Sequence, residues 1–370
     1  MGKHRLHATV ALDALLEAVE AAGNQVELLA LLMESPDRTV RRWGFARAHR
    51  QNMLRPERLA SLANSERDQL LRAEAIRWLA AVATREQLLD LLHGRFVDGR
   101  LLALTQLDDT DLGTQLVTAM LDDPSARVRE TARWRAHRRG IDPASSYRDW
   151  LREGGRPPSR LAASIDGLAA LGTRDDFELV RSYLADRSVR VRAAAVSGVA
   201  VLAEPTRARG LLGPLLLDSS PRVSAAAARG LARAGGTHAD AAAALASEQP
   251  WSRRAGWRLS RSAGGWARVV ADLSAAADED PLLAGLGLAG LRNWLDGAAA
   301  TTWGQPSEAD RTHIDQLLPR VGLTRRECRI FAFHSGINLE PEAAPQASGV
   351  ASTRRGLLRL LRRPKRSTAR

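Results

Sequence analysis

The segment DRSVRVRAAAVSGVA, from Asp186 to Ala200, returns in altered form along the whole chain, and no other feature limits the fold so tightly. SPDRTVRRWGFARA begins at Ser35, DDPSARVRETARWRA at Asp122, and PRVSAAAARGLA at Pro221, directly after the turn residues Asp218, Ser219 and Ser220. If the apolar residue before the arginine is taken as the marker, the phase falls at Val40, Leu71, Gly99, Val128, Ser159, Val191, Val223, Ser252 and Pro281. The steps between them are 31, 28, 29, 31, 32, 32, 29 and 29 residues. RAHR occurs twice in the same phase, at Arg47–Arg50 and Arg135–Arg138. A period of this length is the mark of stacked supersecondary units, each too small to cover its own apolar face.

Within a unit the first segment is leucine-rich: QVELLALLM from Gln25, REQLLDLLH from Arg85, FELVRSYLA from Phe177, RGLLGPLLL from Arg209. The second places Val191, Ala195, Val196 and Val199 on one helical face. Each unit therefore reads as a helical hairpin. Composition agrees, because Ala, Leu and Arg dominate while Phe (5) and Tyr (2), which favour strands, are scarce. The expected fold is all-α, an α-solenoid of about nine hairpins over residues 25–297. A capping helix (Ala8–Ala22, within 1–24) precedes it, further capping helices follow over 298–337, and a disordered linker and basic tail close the chain over 338–370.

The step of an apolar residue, arginine and, three positions on, alanine, following an Asp-bearing turn, resembles HEAT repeats, in particular the short HEAT-like class named after phycobilisome lyases. The resemblance runs from about Gln25 to Gly297. It implies the fold and leaves function open, since that class holds scaffolds, inhibitors and occasional enzymes. The arginine column (Arg41, Arg72, Arg100, Arg129, Arg160, Arg192, Arg253, interrupted by Ser224 and Leu282) could be a track for phosphate. The resemblance implies instead an internal ladder, with each arginine pairing an Asp of an adjacent turn such as Asp37, Asp123, Asp186 or Asp218.

One cysteine, Cys328, excludes an intramolecular disulfide, and the eight histidines show no metal-ligand spacing. No apolar run reaches the length of a membrane span, so a cytoplasmic protein is expected, with no cofactor. Of the net charge of +12, eight units come from the tail, leaving +4 for the body. Arg354, Arg355, Arg359, Arg362, Arg363, Lys365 and Arg366 surround four leucines there, a pattern suited either to weak contact with nucleic acid or anionic membrane or to a merely solvated tail.

Asp166 is the sole candidate for catalysis. HEAT-like alkylpurine DNA glycosylases use an acidic residue beside tryptophans on such a face, but an isolated exposed Asp is ordinarily a solvated charge. Cys328 lies among Arg325, Arg326 and Arg329, six residues before His334, and nearby cations lower a thiol pKa. A small half-buried residue in a capping helix is the plainer reading of it. Offsets two, three, six, seven and ten from the marker are expected to face solvent, which selects Arg42, Trp43, Arg47 and Arg50, Arg77 and Trp78, and Trp134, Arg135 and Arg138 as the partner-binding set. The alternative is that the three tryptophans pack between helices. The leading expectation is a non-enzymatic adaptor binding a protein partner through this concave face. A nucleic-acid-binding protein, related to the glycosylases, is second.

Overall fold

The computed structural model describes residues 25–302 and 304–336, together with residues 14 and 17. The expected cap Ala8–Ala22, apart from Ala14 and Glu17, lies outside the described residues, as do the linker Asn338–Ser352 and the tail from Thr353 to Arg370. Among the described residues all regular structure is helical and no strand occurs. No helix there is long and apolar enough to cross a membrane. Two compact units divide between Leu259 and Ser260.

The first unit is a succession of helix pairs. α1 (Gln25–Glu34) packs on α2 (Arg38–Arg50), α3 (Pro56–Ser65) on α4 (Gln69–Leu79), α5 (Arg85–Leu92) on α6 (Val97–Gln106) and α7 (Asp109–Met120) on α8 (Ala126–Arg138). α9 (Pro143–Glu153) packs on α10 (Pro158–Leu171), α11 (Phe177–Arg181) on α12 (Val189–Leu202) and α13 (Pro205–Leu212) on α14 (Pro221–Arg233). α15 (His238–Leu245) meets α16 (Pro250–Arg261) where Gly256 approaches Leu245. The second helices also touch in sequence order, α2 on α4, α4 on α6, α6 on α8, α10 on α12 and α12 on α14.

The turn chemistry sets the helix starts. Asp37 accepts from the Thr39 amide at 2.6 Å, and Asp68 from the Leu70 and Leu71 amides, so each caps the helix that follows. Pro214 has no N–H to donate, so α13 ends at Leu212 and the LLGPLLL segment continues as a 3-10 turn, Pro214–Leu217. Buried triplets at offsets zero, four and eight form the shared core: Leu71, Ala75 and Leu79; Val128, Ala132 and Ala136; Val191, Ala195 and Val199; Val223, Ala227 and Leu231. In α10 the corresponding buried places are Ser164 and Leu168, which moves the marker from Ser159 to Arg160.

That one-residue shift changes the arginine column. Arg41, Arg72, Arg100, Arg129, Arg192 and Arg253 each donate from Nη1 to the carbonyl six residues back. Arg41 then reaches Glu66, Arg100 Asp123 and Arg192 Asp218 in the turn of the following pair. These bonds tie neighbouring pairs together through half-buried guanidinium groups. Arg160 is not a rung: Leu161 takes the rung position in α10, and Arg160 reaches back to Asp122. Asp37 caps its own helix, and Asp186 contributes its backbone carbonyl to Arg192 while its carboxylate accepts from the Ser188 amide.

The second unit contains α17 (Gly265–Ala276), α18 (Pro281–Asp296), α19 (Glu308–Leu317) and α20 (Arg325–Ser335). Trp266, Trp294 and Phe331 meet edge to face with centroids 5.5–6.4 Å apart, and Ile314 and Leu318 close their core. The last two expected repeat helices, α17 and α18, thus share a core with the expected capping helices.

Candidate arginine cleft

A cleft of about 240 Å³ opens over four successive second helices, α8, α10, α12 and α14. Its floor is small because the sequence puts alanine where these helices face it: Ala162 and Ala163, Ala193 and Ala194, and Ala226. All five are buried. Arg129, Arg190, Arg222 and Arg229 stand around that floor, with Asp166 as the one carboxylate.

Arg129 holds Asp166 through Nη2 at 3.2 Å. Among the described residues no salt bridge engages Arg190, Arg222 or Arg229. Burial away from water raises the Asp166 carboxyl pKa, against the pull of Arg129, Arg222, Arg133 and Arg190. The side chain is nonetheless 46% exposed, so the carboxylate is open to a ligand as well as enclosed. Further along the same face Arg258 is pushed below the ordinary guanidinium range, first by burial and then by Arg229 and Arg254. Arg190, Arg222 and Arg229, which no salt bridge engages among the described residues, leave a positive potential over α12 and α14.

The repeat register explains how the cleft is built. Trp134, Asp166, Ser197, Arg229 and Arg258 are exposed, and each is followed by a buried residue: Arg135, Gly167, Gly198, Gly230 and Leu259. Offset six therefore faces solvent, whereas offset seven packs against a neighbouring helix. A Cβ on Gly198 would stand 2.7 Å from Val180 and 3.4 Å from Ile165. One on Gly230 would meet Leu212 at 2.7 Å and Ala200 at 3.0 Å, so only glycine permits this approach.

The expected partner-binding set divides along the same line. Arg135 is 7% exposed. Its guanidinium donates to the carbonyls of Leu104 and Thr105, both at 2.9 Å, and to Asp109 at 3.1 Å, so it links α8 to the end of α6 instead of facing a partner. Trp78 rests on His49, with ring centroids 3.6 Å apart, and keeps 38% exposure. Trp43 packs against the small core of Leu29 and Ala48, and Arg47 is half-buried. Arg42 forks onto Asp68 at 2.6–3.0 Å. Arg50, Arg77, Trp134 and Arg138 are exposed, with Arg77 near Glu74 and the Arg138 guanidinium 4.9 Å from the Trp134 ring centroid.

Sequence reasoning singled out Asp166 but passed over Arg190, Arg222 and Arg229. Their signal was present: arginine at offset minus one or six in consecutive units with alanine at offset three. Cys328 lies elsewhere, in α20. Burial, and then the Glu327 charge, push its thiol pKa up, the reverse of what the neighbouring arginines suggested. Among the described residues no group of three or more His, Cys, Asp or Glu could hold a metal ion.

No family model matches the chain, and no curated protein matches it. Among solved structures, the crystal structure of an engineered protein matches at 17% identity with a TM-score of 0.22, covering 65% of this chain and 96% of that one.

Proposed function

We propose that this chain is a non-enzymatic HEAT-like scaffold that binds nucleic acid through the second-helix face of its first unit. The observation that carries the reading is the cleft rim: Arg190, Arg222 and Arg229 project without salt-bridge partners from three different positions around a floor of alanines. The ladder arginines Arg41, Arg100 and Arg192 are held by carboxylates of the following pair, whereas these three guanidinium groups converge on one concavity without an ion pair among the described residues, which favours an anionic ligand. Their planar forks suit phosphate oxygens. Asp166 supports binding rather than catalysis, because Arg129 holds it and no second acid–base group shares the cleft.

The test is titration of the full chain with a labelled 20-nucleotide single strand and with the matching duplex across a salt series, against the double substitution Arg190→Glu/Arg222→Glu. Both positions are exposed, so folding is retained. Affinity for both nucleic acids is expected to fall at least about tenfold, with a shallower salt dependence. Unchanged affinity in a folded variant would move the basic site to the tail and remove the reading.

A second reading, an adaptor for a protein partner, is favoured by Trp78 with Arg77 and Arg50 on the N-terminal pairs, a combination of the residue types enriched in interface hot spots. Specific, salt-resistant retention of one protein on the immobilised chain, lost in Trp78→Ala, would favour it.

A further inference from the structure

We propose that the cleft binds a single strand, with one nucleotide lying base-inward toward Asp166 and the neighbouring base stacked on Trp134. This rests on the nucleic-acid reading and specifies the strandedness of its ligand.

The first argument is the mixture of charges. A purely anionic group is drawn to Arg190, Arg222 and Arg229 but repelled by Asp166, the acceptor at the cleft floor. The ligand that satisfies both carries its anion at the rim and an N–H donor inside. A nucleotide has this polarity, phosphate at one end and ring or exocyclic N–H groups at the other. An acidic peptide does not, since its side chains would bring further carboxylates against Asp166.

The second argument concerns access. In a duplex the Watson–Crick N–H groups are engaged and the bases are stacked inside, whereas a single strand can turn a base into a concavity. A volume of about 240 Å³ takes a group on the scale of one nucleotide and excludes a double helix. The alanine floor offers flat, close contact for a ring, and Arg129, already fixed on Asp166, orients the carboxylate for a donor.

The third argument is Trp134. It occupies on α8 the register position that Asp166 takes on α10, Ser197 on α12 and Arg229 on α14, spaced 32, 31 and 32 residues apart. The indole is 54% exposed, an unusual state for a tryptophan, and Arg138 lies against its ring 4.9 Å from the centroid. An open indole on the helix that supplies Arg129 to the cleft, one register step from Asp166, offers a platform on which a single-strand base stacks independently of its sequence.

Four probes test this on the full chain: a 20-nucleotide single strand, its duplex, an abasic strand of the same length, and poly-glutamate as competitor. The wild type is expected to prefer the single strand to the duplex by at least about tenfold at moderate salt. Trp134→Ala is expected to weaken the normal strand about tenfold, since one stacked base is lost, and to leave the abasic strand unchanged. Asp166→Asn should change the preference among homopolymeric strands while leaving the abasic strand bound equally or more tightly. Equal affinity for duplex and single strand, or a Trp134→Ala effect of the same size on the abasic strand, overturns the proposal while the nucleic-acid reading stands. Competition by poly-glutamate as strong as by DNA also overturns it and assigns the cleft to an acidic protein. Insensitivity of every probe to Arg190→Glu/Arg222→Glu overturns both.

Discussion

Truncating Arg135 to alanine separates a structural arginine from an interface one. The side chain is buried and donates through Nε to the Leu104 carbonyl and through Nη2 to the Thr105 carbonyl. Both carbonyls belong to the last turn of α6, where the helix itself supplies no donor. Arg135→Ala leaves them facing a cavity. Each lost bond from a charged donor in such a place costs about 1.5–3 kcal/mol. The third bond, to Asp109, adds little because that carboxylate is 45% exposed. The expected loss is therefore about 3–6 kcal/mol, read as a lowered urea midpoint with the slope unchanged. Arg135→Lys, which can replace one of the two carbonyl bonds, should lose about half as much. Arg138→Ala, three residues on and exposed, should stay within about 0.5 kcal/mol. A loss below about 1 kcal/mol for Arg135→Ala, together with a binding defect, would refute the assignment and return this residue to the partner surface.

Two further outcomes follow from titrating groups. Asp176 is buried, and the Arg148 guanidinium, helped by the Thr173 amide, holds its carboxyl below the ordinary value of 3.8. Its contribution is complete above the ordinary value and is lost as pH falls through the lower folded one, so Asp176→Asn should flatten the acid end of a stability–pH curve measured from about pH 6 downward, where carboxylate linkage acts. Burial and Glu327 hold the Cys328 thiol above its ordinary 9.0, so iodoacetamide should label it more slowly than free cysteine at neutral pH; faster labelling would contradict that environment.

The helical hairpins were legible because periodicity reports burial directly. Val191, Ala195 and Val199 are buried where a helical period places them, and Leu71, Ala75 and Leu79 repeat the arrangement. Register to a single residue was harder. Ser159 precedes an arginine, as a marker should, yet the buried places in α10 are Ser164 and Leu168, and polarity alone does not identify a buried serine whose hydroxyl is satisfied by the Arg160 carbonyl. The composition of the second unit was hidden for a different reason. α17 and α18 carry helical patterns of the same length as the repeats, but Trp266 and Trp294 turn them toward α19 and α20. Aromatic packing of that kind is a tertiary choice with no periodic signature.

The cleft was obscured by the same one-residue ambiguity, and the reason is geometric. Adjacent offsets on a helix point about 100° apart, so exchanging offset six for offset seven exchanges the solvent face for the helix–helix seam. In α12 and α14 the seam holds Gly198 and Gly230, which have no side chain to signal that they are packed against a neighbouring helix. In the fold these glycines let second helices approach closely, and the neighbouring alanines then form a continuous floor. Close approach also brings Arg190 of α12 to one rim with Arg222 and Arg229 of α14. The small residues and the unpaired arginines are thus two parts of one device: glycine and alanine create the concavity, and the arginines around it keep their donors free for what enters.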